Sequence, residues 1–186
     1  MMRSAVTSVM LALCVVLSGC PESVHPLSDP AAAAPDPALF GVWHGTFDGD
    51  EIYLHVGPGE RGMTRATAVT HEKKGALKTE RYVAFPTALK DLAMLNVRVL
   101  DGGDTPHGYT LFKYQADKRK LTLWMLSYAA VRDDIKAGKL KGKAEDGRFG
   151  ETYISAPGPE LVRYLLEGDQ ARLFDKPLVF KRIAAR

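Results

Sequence analysis

Beyond residue 38 the chain alternates hydrophobic and polar positions over short stretches, and a period of two is what a strand with one buried face requires. Residues 41–47 and 51–56 flank Asp48-Gly49, a dipeptide suited to the positive φ values of a two-residue hairpin turn. Residues 63–71 and 77–85 flank Lys73-Lys74-Gly75-Ala76, and the series continues through 93–100, 109–115 and 120–126. The stretches 141–145 and 152–155 surround Asp146-Gly147, and 178–183 supplies a last strand. Two stretches switch to helical spacing. Residues 128–137 place Val131 and Ile135 four apart with Gly138 set to end the helix, and 159–167 carries the stripe Leu161, Val162, Leu165, Leu166, closed by Gly168. The pattern predicts a mainly β fold with minor α: an antiparallel meander forming a small barrel or strongly curved sheet, with a short helix near 128–137 and another near 158–167.

The first hairpin can be read residue by residue. With Asp48-Gly49 as the turn, Phe47 faces Asp50, Gly45 faces Ile52 and Trp43 faces Leu54. Trp43, Ile52, Leu54 and Val56 then point inward, while Val42, His44, Thr46, Glu51, Tyr53 and His55 share the other face. Gly45 leaves a gap that a neighbouring aromatic or backbone can enter. His44 and His55 lie diagonally on one face and Glu51 is opposite Thr46, so His44, His55 and Glu51 are the candidate metal ligands, a donor set zinc accepts. Solvated histidines on a polar strand face are the competing reading.

The start of the chain follows a different pattern. Met1-Met2-Arg3 is a short positive head, residues 5–17 form an apolar run, and Leu17-Ser18-Gly19-Cys20 closes it. A helix of that length reaches roughly 20 Å, too short to cross a ~30 Å hydrocarbon core, so 1–19 reads as a cleaved secretion signal. Residues 20–38 contain Pro21, Pro26, Pro30, Pro35 and Pro37 and read as a linker carrying His25, with 39–186 as a single β-rich domain.

Leu17-Ser18-Gly19-Cys20 resembles the lipobox of bacterial lipoproteins, which implies acylation of Cys20, cleavage before it and a lipid anchor in the cell envelope. Pro21 lacks the aspartate of an inner-membrane retention signal, which favours the outer membrane. The mature sequence, with His25-Pro26-Leu27-Ser28-Asp29-Pro30, resembles small bacterial envelope lipoproteins. Gly41-Val42-Trp43 resembles the Gly-x-Trp opening of lipocalins, implying a barrel of that shape; a helix at 128–137 departs from that pattern. Cys14 leaves with the signal and Cys20 would be acylated, so no thiol remains for a disulfide.

Charge and motifs narrow the function. The net charge is +3 and falls by one when Arg3 is removed, so despite a pI near 8.8 the chain lacks the basic field of a nucleic-acid binder. Lys136, Lys139, Lys141, Lys143 and Arg148 form a basic stretch, but Asp133, Asp134, Glu145 and Asp146 interleave with it, as on a solvated rim. His71 and His107 stand near turns without partners at motif spacing. No nucleophile elbow, zinc-binding helix motif or phosphate loop is present, so no catalytic residue and no cofactor is assigned. Tyr82, Phe85, Phe112, Tyr114, Trp124 and Tyr128 either fill a core or line a ligand cavity. The sequence therefore points to a lipid-anchored envelope protein acting as a binding or interaction module, its partner a small apolar ligand or another envelope protein. The alternatives are an envelope enzyme or metal-binding protein using His44, His55 and Glu51, and a structural assembly factor.

Overall fold

The computed structural model describes residues 21–73, 75–100, 108–145 and 152–183. The segment expected as a signal, Cys20 with its expected acylation, His107, the expected turn at Asp146-Gly147 and Arg148 lie outside them. The strands in chain order are β1 (Glu22–Ser23), β2 (Gly41–Phe47), β3 (Asp50–Pro58), β4 (Thr64–His71), β5 (Leu77–Leu89), β6 (Leu92–Val99), β7 (Tyr109–Ala116), β8 (Lys120–Met125), β9 (Gly142–Ala144), β10 (Thr152–Ile154) and β11 (Leu178–Arg182). The helices are α1 (Tyr128–Lys136), α2 (Gly158–Glu167) and α3 (Gln170–Leu173).

Strands β2 to β8 form an antiparallel meander in sequence order, and β11 pairs with both β8 and β2. With β6 also paired to β7, the sheet closes into an eight-stranded barrel with no free edge along this circuit. The first hairpin has the expected register, with Phe47 opposite Asp50, Gly45 opposite Ile52 and Trp43 opposite Leu54. Asp48 and Gly49 carry φ values of 49° and 84°, the pair of positive angles that a twist-matched two-residue turn needs.

Strand β5 departs from expectation by running past Pro86 to Leu89. Its pairing with β4 ends at Ala84, so at Pro86 only the β6 side is occupied and the missing N–H breaks no ladder. The stretches around 142–144 and 152–154 are strands, but they lie outside the barrel. β9 pairs with β10, and β10 runs parallel to β1, which joins β7 at Tyr109 and Thr110, beyond the point where β8 stops.

The segment 21–38, expected as a linker, instead packs onto the barrel. Pro21, Ser23 and Leu27 are buried. The Leu27 amide donates to Asn96 Oδ1 at 2.8 Å, and Asn96 Nδ2 donates to the Phe85 carbonyl and Thr87 Oγ1. Asp29 and Asp36 each cap a turn of 3₁₀ helix that begins at a proline, and Tyr114 donates to Asp36 Oδ2 at 3.0 Å. The prolines stiffen a docked strap whose partners lie far away in sequence, contacts that local composition cannot reveal.

Two apolar clusters result. One fills the barrel around Trp43, Ile52, Leu95, Leu121 and Phe180. The other lies on the outer face, where Leu89, Met94 and Leu111 are covered by Leu27 and by Val131, Leu161, Leu165 and Leu173 of the helices. α1 and α2 match the expected helices within a residue; α3 was not expected. Gly138 takes φ +70° just after α1, where a helix end favours glycine.

Candidate functional site

Among the described residues the barrel has a closed end and an open end, and both follow from which residues point inward. At the closed end Arg182 lies directly across the β2–β11 ladder from Trp43, with its guanidinium carbon 3.9 Å from the ring centroid. The guanidinium donates to the carbonyls of Ala38, Phe40 and Lys118, and Trp43 Nε1 donates to the Leu39 carbonyl at 2.8 Å. Gly41 has φ +137°, and a Cβ there would strike Arg182 Nη1, so the first residue of Gly41-Val42-Trp43 is the space the arginine needs. Gly45, further along β2, also makes room for a residue of β11. Its absent side chain is replaced by the Phe180 ring, which stands 2.6 Å from where a Cβ would be. Phe180 is thus the neighbouring aromatic that enters that gap.

Above this plug is a cavity of about 180 Å³. Its wall is apolar through Ile52, Leu54, Val56, Val97, Phe112 and Leu123, with Ala66, Ala68 and Ala84 leaving the volume that larger side chains would occupy. Thr64, nearly fully buried, lines the cavity, and its Oγ1 has no hydrogen-bond partner. The β2–β3 and β4–β5 turns surround the mouth, where the inward positions become Asp50, Glu72, Lys78 and Glu80. Lys78 Nζ lies 2.9 Å from Glu80, and the Tyr82 hydroxyl donates to Glu80 Oε2 at 3.0 Å. Burial, reinforced by the Glu80 carboxylate, pushes the Tyr82 phenol well above its ordinary value and keeps it a donor. Asp50 Oδ1 accepts the Lys73 amide, whereas Glu72 Oε1 is shielded from solvent and accepts no hydrogen bond.

Of the aromatics singled out in the sequence, Tyr82 and Phe112 line the cavity, and Tyr114 is buried inside beside Asp36. Burial and the hydrogen bond to Asp36 raise the Tyr114 phenol as well. Phe85, Trp124 and Tyr128 serve the outer face instead; Lys113 Nζ lies 4.8 Å above the Trp124 ring, and burial lowers its pKa.

His44, His55 and Glu51 are on the outer wall, away from the cavity. His44 stacks on Tyr53 with ring centroids 4.7 Å apart, Tyr53 meets His71 edge-on, and His44 Nε2 is 3.9 Å from Glu51 Oε1. Among the described residues no three His, Cys, Asp or Glu side chains are grouped closely enough to hold a metal; His44 and Glu51 lie in a surface row with Tyr53 and His71, and His55 is exposed on the same wall. Three lysines of the basic stretch face carboxylates: Lys141 meets Glu160 at 2.8 Å, Lys143 meets Glu145 at 2.8 Å, and Lys139 stands 4.0 Å from Asp134.

The inward carboxylates were not singled out in the sequence. Their signal is present in 77–82, where Lys78, Glu80 and Tyr82 share one face of a strand continuing into buried Ala84.

These features define a closed eight-stranded antiparallel β-barrel with an apolar internal cavity. No protein-family model matches the chain, and comparisons with curated proteins and with solved structures found no match.

Proposed function

We propose that this protein is a lipid-anchored binding module of the bacterial cell envelope, preferentially of the outer membrane, whose barrel takes up a small apolar ligand. The observation carrying this reading is the cavity: an apolar interior that side chains leave unfilled, open at one end among the described residues and plugged at the other. Empty apolar cavities of comparable size, ~150 Å³, bind benzene-sized molecules, so the ligand's buried portion is on the order of ten non-hydrogen atoms. The anchor rests on Leu17-Ser18-Gly19-Cys20. Two or more acyl chains on Cys20 give stable membrane attachment where one does not. With Pro21 buried and Glu22 already in a strand, such an anchor holds the barrel close to the lipid surface with no free spacer between them.

Titration with a neutral apolar fluorophore, N-phenyl-1-naphthylamine, tests the cavity. Saturable binding is expected, and Ala66→Phe, which fills the cavity from β4, abolishes it while leaving the melting transition cooperative. Binding unaffected by the filled cavity, or absent from the wild-type protein, contradicts the reading. An intact mass lacking acyl additions on Cys20 in membrane-extracted protein contradicts the anchor.

A further inference from the structure

We infer that the barrel's ligand is a single-chain organic cation, an apolar chain or ring bearing a protonated amine that sits among Asp50, Glu72 and Glu80 at the mouth. This rests on the reading of the cavity as a binding site and adds the chemistry of the head group.

The charges at the mouth call for a cation. Among the described residues lining the cavity, three carboxylates, Asp50, Glu72 and Glu80, stand against one ammonium, Lys78. Lys78 is committed to Glu80 at 2.9 Å, and Glu80 also accepts from Tyr82. Asp50 accepts the Lys73 backbone amide. Glu72 is the distinctive member. Its Oε1 is excluded from solvent without a hydrogen bond, an arrangement that leaves a buried carboxylate oxygen short of a donor. A primary ammonium brings three N–H donors and one positive charge and meets both deficits. A carboxylate or phosphate head would bring further acceptors to a mouth that already has unmatched ones and would be repelled by Asp50 and Glu72.

A second unmatched polar atom points to a ligand inside the barrel. Thr64 is 2% exposed and lines the cavity, and its hydroxyl has no protein partner. It offers a polar contact to an occupant whose apolar body runs along Leu54, Val97 and Phe112. The occupant therefore combines a short apolar body with a cationic head.

Displacement of N-phenyl-1-naphthylamine by n-decylamine, decanoate and decanol at neutral pH, all below their micellar concentrations, tests this. Decylammonium is expected to displace the probe at a concentration at least about tenfold lower than decanoate, with decanol between them. Glu72→Gln removes charge at an oxygen that makes no hydrogen bond, so the fold is expected to be undisturbed and the preference for amine over acid to shrink several-fold. Glu72→Gln with Glu80→Gln shrinks it further. Decanoate binding as tightly as decylammonium, or an unchanged preference in Glu72→Gln, overturns the cationic head while leaving the apolar site intact. Failure of the wild-type protein to bind the neutral probe is a different result and overturns the cavity reading itself.

Discussion

Gly45 and Arg182 show how single residues close the barrel. A Cβ at Gly45 would lie 2.6 Å from Phe180 Cδ1 and 2.8 Å from the Val179 carbonyl oxygen. The ring can shift but the backbone oxygen cannot, so Gly45→Ala forces the β2–β11 seam apart. The expected cost is about 1–3 kcal/mol, in the range of overpacked cores, read as a lowered midpoint in urea unfolding with little change in slope. A midpoint equal to wild type would show that the seam is not tightly packed there. The sequence marked this glycine as a gap but did not say what fills it, because Phe180 arrives from the last strand. In the same way Gly41-Val42-Trp43 was visible as a motif, while its partner Arg182 lies at the far end of the chain and becomes identifiable only once the barrel is closed.

At the level of elements, docking of the N-terminal strap and cross-linking of the helices each depend on one buried polar side chain. Asn96 is fully buried and joins Leu27, Phe85 and Thr87. Asn96→Leu leaves the Leu27 amide without that partner, while Thr87 Oγ1 keeps Ser28 Oγ at 2.6 Å, so the expected cost is about 1–3 kcal/mol for the one unsatisfied buried amide. Hydrogen exchange is expected to accelerate at the amide of Leu27 and at β1 well before it does in β3 and β4; uniform protection would show that the strap is held by its apolar contacts alone.

Asp134 of α1 links the helices by accepting from Tyr164 of α2, at 2.7 Å, and from Arg172 of α3. Burial opposes its charge, but the hydrogen bonds from Arg172 and Tyr164 outweigh burial and hold its carboxyl below the ordinary value of 3.8. A carboxylate depressed in the folded state contributes stability that is complete above its unfolded pKa and lost as pH falls through its folded one. Wild-type stability attributable to this site is therefore constant at neutral pH and declines below about pH 4. Asp134→Asn is expected to lose about 2 kcal/mol at pH 7, with a shallower loss on acidification. Parallel acid profiles for the two proteins would show that the charge on Asp134 does not contribute to acid stability.

For the whole molecule, the meander and helices were legible because they are local: alternation set the strand faces, Asp48-Gly49 set a register, and Gly138 marked a helix end. What was illegible is long-range. Proline-rich residues 21–38 have the composition of a spacer, and the contacts that bind them, among them those of Asn96, Thr87 and Tyr114, come from residues distant in sequence. His44, His55 and Glu51 were correctly placed on one face, yet sharing a face did not make them a donor set. The cavity itself was foreshadowed only by the aromatics, of which Tyr82 and Phe112 reach it. Its volume depends on Ala66, Ala68 and Ala84, small residues spread over two strands that carry no signature when read along the chain. The resulting body has two apolar layers with different tasks. The outer one secures the strap and helices, and the inner one is left incomplete above the Trp43–Arg182 plug.

Methyl-resolved NMR of the barrel domain on addition of n-octane tests that inner layer most directly. The methyls of Leu54, Val56, Val97 and Leu123, which face the cavity, are expected to shift with saturation, while those of Val131, Leu161 and Leu165 beneath the helices stay fixed. Inward methyls that do not respond, or shifts confined to the outer cluster, would show that the barrel is not the binding site.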